Sequence, residues 1–197
     1  MKTVSGFAAW RMAVGAALAL AGILGVPGCP PNGDGGGTLE GAWAGNVTYT
    51  AALSFGSNPP ANDNPFEKAF TGTFDAQGRP NTLDVVIDVN KVVLLSTANL
   101  VNKGDTDTQT FQAGSTSVKV TATVKAVSRS DTAYSITLEP LAIEFTGTGS
   151  MTGTYTIEGT VQSDDSLKWS GAGDYTIPLG ASSIHLKVTG DADLIRQ

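Results

Sequence analysis

The chain has 197 residues, of which 12 are basic and 18 acidic, and its formal net charge is −6. Lys2 and Arg11 carry the only charges before residue 29, so the rest of the chain is more acidic still. A domain of this sign repels a phosphate backbone, which excludes nucleic acid as an expected partner. The single cysteine excludes an intramolecular disulfide.

The first 28 residues have the pattern of a signal peptide. Lys2 and Arg11 form a basic start, and an uncharged apolar run follows from Met12 to Leu24. This run is shorter than the roughly 20 residues that a membrane-spanning helix needs, and Pro27 and Gly28 end it. We therefore expect residues 1–28 to be removed during export.

Val26-Pro27-Gly28-Cys29 resembles the lipobox of bacterial lipoproteins, in which an aliphatic residue, a variable residue and Gly or Ala precede a cysteine. The resemblance implies that cleavage falls before Cys29 and that lipid on its sulfur anchors the protein in the bacterial cell envelope. Pro30 stands where an Asp would direct retention in the inner membrane, so enterobacterial sorting, by resemblance, favours the outer membrane. The expected partners are the membrane, through Cys29, and an envelope protein or a small apolar ligand.

Residues 29–38 predict a flexible tether. Pro30 and Pro31 stiffen its first step, and four glycines with Asn32 and Asp34 leave no large apolar side chain to bury. The tether leads into a single domain, residues 39–197.

From Leu39 onwards, apolar residues recur at every second position, which is the period of half-buried β-strands. Threonine occupies many of the outward positions, as suits a pleated sheet, and no stretch shows a helical period. About nine or ten strands joined mostly by short connections predict an all-β domain. We expect a single antiparallel meander that forms a barrel or a sandwich. The alternating stretches are 47–55, 70–74, 83–89, 118–124, 134–138, 141–145, 151–161, 167–177 and 184–188.

Three segments depart from plain alternation. Residues 56–65 and 102–110 predict longer loops, rich in Asn, Asp and Pro or in Asp and Thr. The run 92–95, Val-Val-Leu-Leu, is apolar on both faces and predicts a central or doubly covered strand. Asp84 and Asp88 share the polar side of their strand at a Cα separation of about 14 Å. That spacing is wider than the roughly 5–9.5 Å of a glycosidase pair, so we expect a solvated face.

Gly41-Ala42-Trp43 resembles the Gly-x-Trp start of lipocalins, avidins and related calycin barrels. The resemblance implies that Trp43 plugs the barrel floor and that a basic residue late in the chain, Lys187 or Arg196, packs against it. It also suggests a carrier of a small apolar ligand. The candidate ligand-binding residues fall on the inner face by parity: Trp43, Tyr49, Tyr155 and Trp169. An equally open interpretation is that these aromatic residues form an ordinary core.

No residue pattern predicts a catalytic, metal or cofactor site. His185 is the single histidine and points outward on its strand, with no serine elbow and no cysteine partner. One His and one lipidated Cys do not make the three or four ligands of a zinc site. The expected function is therefore a non-catalytic, structural or protein-binding role. A lipocalin-like carrier is the alternative, and a hydrolase built from scattered carboxylates is a weaker one.

Overall fold

The computed structural model describes residues 37–56, 61–147, 149–162 and 165–197, with residues 61–64 as backbone only. The predicted signal peptide, Cys29 and most of the predicted tether lie outside these residues. The described chain folds into ten β-strands and no helix, which confirms the all-β prediction. The strands are β1 (Gly41–Phe55), β2 (Ala61–Phe74), β3 (Thr82–Asp88), β4 (Lys91–Ser96), β5 (Thr106–Ala113), β6 (Thr116–Arg129), β7 (Ala133–Phe145), β8 (Gly149–Val161), β9 (Ser166–Leu179) and β10 (Ser182–Arg196).

Eight of the strands form one antiparallel sheet in the order β2-β1-β10-β9-β8-β7-β6-β5. The last strand pairs with the first, with Tyr49 opposite Gly190 and Trp43 opposite Arg196, so the sheet curls into a half-barrel. Every second residue faces inward, and these inner residues supply most of the core. No described residue belongs to a helix long and apolar enough to cross a membrane.

The remaining two strands form a separate hairpin, β3–β4, which packs against the inner face of the large sheet. An isolated bridge between Phe74 and Pro80 precedes it, but no ladder of the described strands joins β3 or β4 to the eight-stranded sheet. Five consecutive residues of β3 are buried, so this strand is enclosed on both faces: Leu83, Asp84, Val85, Val86 and Ile87.

This enclosure corrects the prediction for Asp84. Its side chain is 2% exposed and does not lie on a solvated face, whereas Asp88, at the end of β3, is 32% exposed. Period-two alternation assumes that one face of a strand meets water, and β3 meets water on neither face.

Three other expectations are also corrected. Residues 61–65, predicted as loop, begin the edge strand β2, and residues 106–110 begin the opposite edge strand β5. Residues 92–95 are not a central strand, because β4 pairs only with β3 and Leu94 is 46% exposed beside the buried Leu95. Both edge strands lack a long apolar run, which is the feature that marks a buried strand in a sequence.

Candidate functional site

Three of the four predicted ligand-binding aromatic residues lie together on the inner face of the sheet. The rings of Tyr49 and Trp169 meet edge to face, with centroids 6.0 Å apart at 81°. Tyr155 stacks on Tyr175 at 6.2 Å, and Phe66 stacks on Tyr49 at 5.2 Å. All three predicted residues are at most 3% exposed, so they form a packed aromatic cluster.

Glycines on neighbouring strands allow this packing. A Cβ atom built on Gly173 would stand 2.6 Å from the ring of Tyr155, and one on Gly190 would stand 2.6 Å from the ring of Tyr49. Each ring therefore occupies the space that a side chain would need. The small inward residues leave no ligand space at these positions, because aromatic rings fill it.

Trp43 belongs to a different site, near the end of the sheet where β1 begins. Its Nε1 donates a hydrogen bond to Leu39 O at 2.9 Å, and the Arg196 guanidinium lies 4.4 Å from its ring centroid. Between the two candidate basic residues, the structure places Arg196 over Trp43. Lys187 is exposed and pairs instead with Asp174 at 3.8 Å.

The sequence did not predict the polar cluster that lies beneath the hairpin. Tyr49 Oη donates a hydrogen bond to Asp84 Oδ2 at 3.1 Å, and Lys68 Nζ lies 3.9 Å from the same oxygen. Burial raises the pKa of the Asp84 carboxyl, and Lys68 and the Tyr49 hydroxyl offset part of that rise. One buried carboxylate thus joins β3 to both β1 and β2.

Two further tyrosine hydroxyls are buried close by. Burial raises the pKa of Tyr155, and the negative charge of Asp84 raises it further, while the Val86 amide offsets a part. That amide approaches Tyr155 Oη without forming a hydrogen bond of normal geometry, and Tyr175 Oη also makes no hydrogen bond to the described residues. Burial raises the pKa of Tyr175 as well, so both hydroxyls stay protonated at physiological pH.

The space left between hairpin and sheet is very small. A void of about 10 Å³ lies between Asp84, Trp169 and the rings of Phe70 and Phe74. This is about the volume that one water molecule needs, far below the roughly 300 Å³ at which small-molecule sites begin. The hairpin fills the interior that a carrier would leave open.

A larger groove of about 380 Å³ lies on the surface beside the β2–β3 turn. Its polar groups are largely bound to one another: the Arg79 guanidinium contacts the Asp75 carboxylate at 2.8 Å, and Asn81 Oδ1 accepts from the Thr73 amide at 3.2 Å. These contacts hold the turn in shape.

His185, which the sequence predicts to point outward, lies on β10. It is half-buried on the outer face, with Nε2 3.2 Å from Ser183 Oγ and Nδ1 3.4 Å from Thr176 Oγ1. No group of three or more His, Cys, Asp or Glu side chains among the described residues is arranged to hold a metal ion.

One signal in the sequence does mark the buried carboxylate. Asp84 stands within Leu83-Asp84-Val85-Val86-Ile87, and the three residues that follow it are all apolar. Such a run places apolar side chains on both faces of the strand. The partner Lys68 carries no such signal, because it lies on an edge strand between polar and small residues. Comparison with family models, curated proteins and solved structures finds no match to this chain.

Proposed function

We propose that the protein is a lipid-anchored lipoprotein of the bacterial cell envelope whose β domain has a structural or protein-binding role. The anchor rests on one observation, the sequence Val26-Pro27-Gly28-Cys29 at the end of an apolar run of signal-peptide length. The acidic balance of the domain favours solubility and keeps it from lying flat on an anionic bilayer.

The packed interior supports a non-catalytic scaffold over the two alternatives. A lipocalin-like carrier needs an internal cavity, and the void beneath the hairpin holds about 10 Å³. A hydrolase needs a carboxylate that a substrate can reach, and the carboxylate that lies in the interior of the described domain, Asp84, is 2% exposed. The scaffold proposal therefore places binding on the outer surface and on the loops.

The lipid anchor is tested by replacing Cys29 with Ala in cells fed labelled palmitate. We expect the variant to lose the label and to leave the membrane fraction, because the acylated sulfur is gone. Asn32→Ala, in the predicted tether, is the matched control and should keep both the label and the membrane association. Palmitate labelling that persists in the Cys29→Ala variant refutes the lipoprotein proposal.

A further inference from the structure

The hairpin β3–β4 is held in place mainly by side chains. It packs against the inner face of the large sheet, yet no ladder of the described strands connects the two. At Ser96, the last residue of β4, the Gln109 side chain makes the pair of hydrogen bonds that a neighbouring strand would make. Its Nε2 donates to Ser96 O and its Oε1 accepts from the Ser96 amide, both at 2.9 Å. How firmly the hairpin is seated therefore depends on what its buried side chains meet.

The polar contact at the centre of that interface is the Asp84 carboxylate. In the described part of the chain its charge is faced by a single cation, Lys68 of β2, at 3.9 Å, and that ammonium belongs to a side chain that is 32% exposed. The titratable groups packed around it are Tyr49 of β1, 3.1 Å away, and Tyr155 of β8. The tyrosines contribute hydroxyl dipoles and no positive charge, so the charged carboxylate is weakly compensated for a buried group.

We propose that Asp84 is a proton-operated latch that seats the hairpin β3–β4 more firmly against the sheet at acid pH than at neutral pH. When protonated, the carboxyl group carries no charge into the interior and still accepts the Tyr49 hydroxyl. When ionised, it keeps its charge in an apolar interface, and moving the hairpin outward restores its contact with water.

The direction follows from linkage. Burial raises the pKa of Asp84 in the seated state above the ordinary value of about 3.9 that the exposed carboxyl has when the hairpin opens. Between those two values the seated state binds more protons than the open state, so seating weakens as the pH rises through this window. The stabilisation is fully present below the ordinary value and is lost above the raised one.

The latch is tested by hydrogen exchange of the β3 amides in the full chain, held in detergent, from pH 4.5 to 7.5, after correction for the intrinsic exchange rate. In the unmodified protein we expect protection of residues 83–87 to fall as the pH rises, by up to about tenfold for each pH unit inside the window. Asp84→Asn keeps the shape and cannot ionise, so its protection should stay nearly constant. Asp88→Asn, four residues along the same strand and partly accessible to water, is the matched control and should behave like the unmodified protein.

A second variant keeps the proposal testable if Asp84→Asn folds poorly. Lys68→Met removes the cation that faces the carboxylate, so the loss of protection should extend to higher pH than in the unmodified protein. Three results would each overturn the latch: equal pH dependence in the Asp84→Asn variant, a loss of pH dependence in the Asp88→Asn variant, or a shift towards lower pH in the Lys68→Met variant.

Discussion

At the scale of single residues, Arg196 has the largest set of polar contacts near the start of β1. Its guanidinium donates to the carbonyl oxygens of Glu40 and Thr38, both at 2.5 Å, and approaches Asp165 Oδ1 at 3.2 Å. The same group lies over the ring of Trp43. A planar fork of donors that also stacks on an aromatic face is a property of arginine and not of lysine.

We therefore expect Arg196→Lys to lower the free energy of unfolding by about 1–3 kcal/mol, the cost of charge-assisted hydrogen bonds together with a cation–π contact. Urea unfolding followed by circular dichroism measures the change. Lys187→Met is the matched control, because Lys187 pairs with Asp174 in an exposed position and such pairs contribute little. An equal loss in the two variants would contradict this role for Arg196.

Contacts between individual residues were harder to predict from the sequence than the direction in which each side chain points. The inward parity of Tyr49, Tyr155 and Trp169 was predictable, because each stands in a clear alternating stretch. The contact between Tyr49 and Asp84 was not, because the two residues are 35 positions apart and nothing local records which side of the hairpin faces the sheet. Packing between separate elements decides such pairs, and a single sequence does not contain it.

At the scale of elements, β4 shows that a run of apolar residues need not be buried on both faces of its strand. Four consecutive apolar residues predict a strand that is covered on both faces. In β4, however, only the face of Leu95 is buried, and the opposite face meets solvent at Leu94, which is 46% exposed. The alternating strands of the main sheet were predictable because one face meets the core and the other meets water. The hairpin escapes that rule, because its two strands differ in how deeply they lie in the interior.

Two adjacent leucines provide a matched test of this arrangement. Leu95→Ala should lower the free energy of unfolding by about 2–5 kcal/mol, because it removes a fully buried side chain and leaves a cavity. Leu94→Ala should change it by less than about 0.5–1 kcal/mol, because nearly half of that side chain already meets water. Equal losses, measured by urea unfolding, would instead support a strand covered on both faces.

At the scale of the whole molecule, the decisive property is a filled interior. A half-barrel of eight strands leaves an open side, and the hairpin closes over its inner face with buried aliphatic side chains from both strands. Aromatic rings then take the space above the glycines of β9 and β10. The result is a packed core in the described part of the chain, with a void of only about 10 Å³ beneath the hairpin, in a fold whose sequence pattern was equally compatible with a cavity.

Trp169 reports on that core. It is 3% exposed and contacts Tyr49 and Phe70, so Trp169→Ala should lower the free energy of unfolding by about 3–5 kcal/mol. Because the interior is filled, a fatty acid added at micromolar concentration should produce no saturable quenching of the tryptophan fluorescence of the unmodified protein. Saturable quenching together with a small stability loss would revive the carrier alternative.

The position of β1 has a mechanical consequence. Just after the buried Leu39, β1 begins at Gly41, and this strand pairs with β2 on one side and with β10 on the other. Hydrogen bonds of antiparallel strands run across the strand direction. A pull along β1 that the rest of the sheet resists therefore loads both ladders in shear, so that many hydrogen bonds must yield together. Through the carbonyls of Thr38 and Glu40, Arg196 fastens the segment that would carry this force.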